Sequence, residues 1–333
     1  MITSSKDIIV EVANAETGEI LVGANTSNDT RFLHYEISVR KELASFYNSA
    51  IVTIYNLSSS IRDKLTAIYT EDTLETYNIV SQYLISKKPP IYIITIKEDQ
   101  TDSIFYVGTL LNFYATYTKK AEWRCTLLSA QGINLNGIVG EEYLVGSVSY
   151  FNLIKSMVND AGYILQTNDS LDLFNNCPYK KKNSILKNYN FKNTSVISAI
   201  NIILSGCQPL PNIGINENDT VVYINYASSN RTVDIPLNNV LDLRLGVFSF
   251  VGVIIFNFNV TLTTAITFEE ASAKVALPNL TGAQGFVFKY PQSIITTKWF
   301  VRSVTHKFQN FKGNTLQRTS EITCFKSVEN TNG

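Results

Sequence analysis

Along much of the chain apolar residues recur at every second position, the period of a strand with one covered face. Residues 7–12 and 19–23 read as a first hairpin turning through "NAETGE". Residues 32–43 alternate through Leu33, Tyr35, Ile37 and Val39. The stretch "NSAIVTIYNLSSSIRDKL" (48–65) sets Ile51, Ile54 and Leu57 around Val52, Thr53 and Tyr55. It then changes, with no Gly or Pro between, to a helical stripe of Ile61, Leu65 and Ile68. Residues 66–88 form a helical or irregular insertion that ends at Pro89-Pro90, because no helix continues through two prolines. Strand patterns over 91–98, 104–117 and 122–130 complete a region with the spacing of a small barrel or sandwich.

The period then lengthens. Over 149–163 Phe151, Ile154, Met157, Val158 and Ala161 share a helical face, with Ser149 as N-cap and Gly162 as C-cap. A second helix over 193–206 places Val196, Ala199, Ile200, Ile203 and Leu204 inward, between a Thr194 cap and Gly206. With the strand "TVVYINY" these make a small α/β unit. From about Asp234 the chain is again strand, in "VFSFVGVIIF", "FNVTLTT", "FVFKY", "KWFVRSVTHKF" and "TSEITCFK". No charge falls between Arg244 and Glu269, a length that could span a bilayer. Asn257, Asn259 and the threonines alternate with Phe256, Phe258, Val260 and Leu262, so two consecutive β-strands are expected in place of a membrane helix. So long an apolar stretch points to surface buried against another chain. The hairpins ending the first and last regions each return with a Thr beside a Cys, which fits either accident or an internal duplication.

Composition narrows the function. The chain has 333 residues, 45% hydrophobic and 17% charged, so it folds and as one body buries roughly three quarters of its unfolded surface. Twenty-eight basic residues balance 28 acidic ones, which disfavours a protein that grips nucleic acid by phosphate neutralisation. Cys125, Cys177, Cys207 and Cys324 form no Cys-x-x-Cys and are expected to be reduced and mostly buried. The N-terminus has no secretory pattern, so Asn25-Thr26-Ser27 and Asn259-Val260-Thr261 are chance sequons and assembly takes place in a cytoplasm. Catalytic chemistry has little footing. His34 and His306 lie in alternating strands, and neither Gly-x-Ser-x-Gly nor a P-loop occurs. Ser38-x-x-Lys41 lies in a strand that points the two residues apart, and Ser184-x-x-Lys187 is an equally weak match. "NENDT" (216–220) lacks the Gly and the Glu of a calcium loop and reads as a hairpin turn. The aromatics alternate within strands away from Lys and Arg, which favours core and interface over base stacking.

"AIVTIYNLSSSIRDKL", with "HYEISVRKELASFYNSA" before it, resembles the strand-to-turn element near the N-terminus of the phage tail baseplate hub family. "SYFNLIKSMVNDAGY" and "FKNTSVISAINIILSG" resemble that family's two middle-domain helices. "VRSVTHKFQNFKGNTLQRTSEITC" resembles its C-terminal hairpin. The resemblance implies a mainly β fold with a smaller α/β part. Two tube-like β-barrel domains, residues 1–130 and 233–333, would flank a middle α/β domain, residues 131–232. It implies a non-enzymatic virion protein of the tail baseplate: a homotrimeric hub that adapts the six-fold tail tube to a three-fold spike or tip. Tape measure and other baseplate proteins are further expected partners, and DNA passes through only as cargo. No cofactor, metal or stable membrane insertion is expected. At Asn56-Leu57-Ser58 the strand would end by side-chain hydrogen bonds to the amides of the following turn. Tyr55, Asn56, Leu57, Phe248, Phe250, Phe256 and Phe258 are the expected contacts with neighbouring subunits or the tube. Two other classes share the composition: a β-rich adhesin or carbohydrate-binding tail module, and a tail-borne hydrolase, for which no nucleophile or acid pair is found.

Overall fold

The computed structural model describes residues 8–24, 26–42, 46, 48–67, 91–99, 103–137, 139, 150–167, 191–204, 212–225, 232–234, 240–250, 253–262, 274–276, 298–310 and 317–328. The fold is mainly β with a smaller α/β part. The first β-region contains β1 (Ile8–Asn14), β2 (Ile20–Val22), β3 (Tyr35–Glu42), β4 (Ser49–Tyr55), α1 (Ser59–Ala67), β5 (Tyr92–Glu98), β6 (Ile104–Tyr117) and β7 (Trp123–Ala130). The middle part contains α2 (Tyr150–Asp160), β8 (Ile164–Gln166), α3 (Val196–Leu204), β9 (Asn212–Ile215) and β10 (Val221–Asn225). The last region contains β11 (Thr232–Asp234), β12 (Val240–Phe250), β13 (Val253–Leu262), β14 (Lys274–Ala276), β15 (Lys298–Asn310) and β16 (Gln317–Val328).

The two β-regions share one sheet. Its path is β12-β13-β16-β15-β3-β4-β7-β6-β5-β1-β2, and β15 is the hinge of the whole, pairing antiparallel with β3 from Ser303↔Glu42 to Asn310↔Tyr35. Period-two burial gives this sheet one covered face, with Tyr35, Ile37 and Val39 continuing into Ala50, Val52 and Ile54, then Cys125 and Leu127. Ile51 is 48% exposed on the opposite face, so the inward series of β4 runs through Val52. The sheet rolls over this core. Arg318 on β16 donates to Glu98 Oε1 on β5 at 2.7 Å, and Phe308 meets Phe105 with ring centroids 5.1 Å apart. α1 plugs the roll with Ile61 and Leu65.

The two β-regions also repeat one topology. In the first, the order β3-β4-β7-β6-β5 is antiparallel throughout; in the last, β12-β13-β16-β15-β14 is too. β6 slips register at Leu111 against β7, and β15 slips at Arg302 against β16. Aligning these two bulges sets Val52-Thr53-Ile54 on Val260-Thr261-Leu262 through the pairings of β4 and β13. The Thr-Cys pairs do not coincide in this alignment: Cys125 falls on Ser320. Shared strand order, direction and bulge position argue for duplication.

The apolar stretch forms the β12–β13 hairpin, with its turn between Phe250 and Val253 and not after Phe256 as the alternation suggested. Among the described residues, no helix is long and apolar enough to cross a membrane.

The middle part has its own core of α2, α3 and the β8-β10-β9 sheet, which Phe46 joins. Leu153 and not Phe151 completes the buried face of α2. Gly162, at φ 87°, closes α2: its amide donates to Asn159 O and the Tyr163 amide to Val158 O, the paired bonds of a Schellman end. Ser195, not Thr194, caps α3, its Oγ accepting from the Ser198 amide at 3.2 Å. Ser149, Gly206, "FVFKY" and most of the 66–88 insertion lie outside the described residues.

Strand β4 ends without glycine because Asn56 takes the left-handed conformation, φ 59°, that Asn tolerates best among residues with a Cβ. Asn56 does not cap the next turn as expected. Its amide donates to Trp123 O at 2.8 Å and its Oδ1 accepts from the Trp123 amide at 3.1 Å, so the side chain extends the ladder to β7. The helix start is supported from elsewhere: Asn28 Oδ1 accepts from the Ser58 amide at 2.9 Å, and Ser58 O accepts from the Arg62 amide.

A polar joint fastens the middle part to the first β-region. Lys41 continues the inward series of β3 and is 2% exposed, paired with Glu217 in the 216–220 turn. Burial pulls its ammonium below the ordinary range while Glu217 opposes. Gln131 Nε2 donates to Val107 O at 2.7 Å and, at 3.1 Å, to the carbonyls of Asn216 and Glu217. Buried Asn48 donates to Gln131 Oε1 at 2.8 Å and accepts from the Glu42 amide. Asp219 Oδ1 accepts from the Gly132 amide at 2.9 Å and from Tyr163 OH at 3.1 Å.

Gly132 is required here: at φ +71° an added Cβ would lie 2.7 Å from Ile215 Cδ1 and 2.9 Å from Phe46 O. Gly132→Ala is therefore expected to lower unfolding free energy by about 2 kcal/mol or more in urea titrations. At the end of β4, Asn56→Ala is expected to cost roughly 2 kcal/mol, from left-handed strain and one lost hydrogen bond. Asn56→Gly should cost only the hydrogen bond, about 1 kcal/mol, and the same titration ranks the two.

Candidate assembly surface

Two stretches of strand edge and part of one sheet face are left uncovered by the described residues. β12 ends the sheet path, so one whole edge of an eleven-residue strand has no strand partner among them. β6 is the second case. Ladder pairs with β5 run from Ile104 to Thr109, and beyond that β6 continues to Tyr117 with no strand on that side among the described residues. Leu111, Tyr114 and Tyr117 on this stretch are 50%, 49% and 59% exposed. An open edge presents free N–H and C=O groups and is a template for another strand.

The face opposite the core is open only in part. On it Ile51 is exposed beside Leu128 and Tyr114 is exposed beside Thr126, whereas Thr53 and Thr126 themselves are buried. Two ion pairs lie on this face, Arg40 with Glu42 at 2.6 Å and Lys307 with Glu321 at 2.6 Å. Tyr55 at its rim stacks on His34, 4.2 Å between ring centroids, and donates to Glu36 Oε1 at 3.2 Å. Burial and Glu36 raise the Tyr55 phenol above its ordinary range, while burial lowers His34.

The seven expected contact residues do not form one patch. Tyr55 is half-buried at the rim and Asn56 is exposed at the strand end. Leu57 is 2% exposed and lies in the subunit's own core, supporting the rim from beneath. The four phenylalanines divide by register. Phe248 and Phe250 pair with Ile255 and Val253, whereas Phe256 and Phe258 pair with Val247 and Leu245. All four lie on the β12–β13 ladder, away from the Tyr55–Leu57 rim. The edges, by contrast, left no mark in the hydrophobic pattern; the repeat was the only sequence signal that could have found them.

The residues considered for chemistry are engaged structurally. Ser38 and Lys41 lie on opposite faces of β3, and Lys41 is occupied by Glu217. His306 is buried, its Nδ1 2.9 Å from Ser320 Oγ. "NENDT" is the β9–β10 turn, closed by Asn216 Oδ1 accepting from the Thr220 and Val221 amides. Among the described residues no three His, Cys, Asp or Glu side chains converge as metal ligands. Ser184 and Lys187 lie outside the described residues.

No family model matches the chain, and no curated protein matches it in sequence. Solved structures do match. A tail protein from Neisseria meningitidis MC58 superposes with a TM-score of 0.56 at 8% identity, over 96% of this chain and 96% of that one. The 43 kDa tail protein of prophage MuSo2 from Shewanella oneidensis gives 0.55 at 8% identity, over 98% and 97%. A chain of the Francisella PdpA–VgrG complex gives 0.50 at 8% identity, over 97% of this chain and 58% of that one. Over nearly its whole length, the chain has the fold of phage and prophage tail proteins.

Proposed function

We propose that this protein is a structural component of a phage tail or tail-derived injection machine, acting as the central hub of the baseplate. Three copies form a ring, and two similar β-units per copy offer six related faces to a six-fold tail tube. The other side of the ring holds a three-fold spike or tip protein, with tape measure and other baseplate proteins around it. DNA passes through the ring as cargo, and the neutral net charge of the chain suits a conduit better than a binder. The role is mechanical, without cofactor or catalysis, and the protein resides in the virion tail after assembly in the host cytoplasm.

The observation that carries this reading is the duplicated five-strand topology in a chain that superposes end to end on tail proteins. A duplicated unit is the simplest way for three subunits to present six equivalent positions. The edges of β6 and β12 further support it, because closed symmetry lets copies cover one another's open strands. In this reading Phe248, Phe250, Phe256 and Phe258 contact a neighbouring copy or the tube, and Tyr55, Asn56 and Leu57 form or support the rim that meets a partner.

Light scattering of the purified protein, alone and mixed with its spike protein, is expected to give three times the mass of the single chain. A persistent monomer in both conditions would remove the ring. Replacing both Phe248 and Phe250 with Asp is expected to weaken trimerisation at least ~10-fold, read as the concentration at which the trimer dissociates, with the far-ultraviolet circular dichroism unchanged.

A further inference from the structure

The joint between the first β-region and the middle part holds two groups placed for chemistry. Lys41 ends the inward series of β3, after Tyr35, Ile37 and Val39, and is 2% exposed. Its register partner on β15 is the fully buried Val304. An ammonium has three protons to donate, and among the described residues this one meets a single acceptor, Glu217 Oε1. Glu217 is itself held in place: its carbonyl accepts from the Val107 amide at 2.7 Å and from Gln131 Nε2 at 3.1 Å. We propose that Lys41 and Glu217 condense, Nζ to Cδ, into an isopeptide bond that ties the middle part covalently to the first β-region.

Burial supplies the driving force. An ion pair taken out of water carries the desolvation cost of both charges, and an amide in the same place carries neither. Burial already pulls the Lys41 ammonium below its ordinary range, which brings the free amine, the nucleophilic form, within reach. Fixed backbone on both sides holds nitrogen and acyl carbon together, so an encounter between two molecules becomes a step within one. The step balances inside the pair. One ammonium proton passes to the carboxylate, leaving an amine and a carboxylic acid. Nζ then attacks Cδ: the C–N bond forms, one C–O bond breaks, and the leaving hydroxyl takes a second proton from nitrogen and departs as water. Nothing is oxidised or reduced, and no further reactant enters. The Glu217 side chain is 22% exposed, which gives that water a way out.

The neighbouring acyl groups are committed elsewhere. Asn48 donates to Gln131 Oε1 and accepts from the Glu42 amide. Gln131 Nε2 is taken by the carbonyls of Val107, Asn216 and Glu217. Asp219 Oδ1 serves the Gly132 amide and Tyr163 OH. The bond joins positions 176 residues apart and so encloses every element from β4 to β9 in one covalent loop. It forms once per chain, without turnover, and is independent of the ring.

Mass spectrometry of the intact, purified full-length protein tests this. The main species is expected to weigh one water molecule less than the sequence. A protease digest should yield one branched peptide joining the segments around Lys41 and Glu217. Lys41→Met, Glu217→Ala and the charge-keeping Lys41→Arg should each restore the full mass. Circular dichroism establishes that the unaltered protein is folded, and its mass then decides the matter whether or not the variants fold. A folded protein at the full mass of the sequence overturns the proposal. So does a water loss that survives Lys41→Met, or a branched peptide joined at other residues.

Discussion

Backbone N–H and C=O groups along a strand edge demand partners, and that demand organises this molecule. Two antiparallel units, each with its own strand order, are fused where β15 adds its outer edge to β3. Without that addition the molecule would be two small sheets on a tether; with it, one rolled sheet brings Phe308 of the last region into the core of the first. Side-chain packing follows the same line. Val304, His306 and Phe308 of the last region lie buried in register with Lys41, Val39 and Ile37 of the first.

Much of this architecture was legible in alternation alone. The strands, the capped helices and the α/β character of the middle part follow from periods of 2 and 3.6 and from glycine positions. Phase was harder. Ile51 and Val52 are both β-branched and apolar, and only the pairing of β4 with β3 and β7 decides which points inward. The placement of Lys41 was not legible, because a lysine on the inward parity of a strand reads as an interruption until the Glu217 carboxylate arrives from 176 residues later in the chain. Asn56 was legible as a special residue but not in its role: its partner is the backbone of Trp123, which local sequence cannot supply.

The joint between the first β-region and the middle part differs in kind from the two cores it separates. It is built from one buried ion pair, two buried amide side chains and a carboxylate, each with identified partners. Such a network gives little net stability compared with apolar packing, yet it tolerates few alternative arrangements, since any slip leaves a charge or an amide buried unpaired. Orientation is what it secures. The close approach at Gly132 reinforces this, because backbone from Phe46 and the side chain of Ile215 meet where no Cβ fits.

That same joint breaks the equivalence of the duplicated units. Position 41 is a lysine in the first unit, whereas its counterpart, Val247, offers no charge to receive a matching turn. Each polypeptide accordingly has two similar strand layers but a single appended α/β lobe, seated on one of them. An assembly of three such chains would carry its sheets in a near-hexagonal arrangement and its lobes in a triangular one. One and the same particle could then mate with components of either order, the mismatch being resolved inside each chain by where a lysine stands and where it does not.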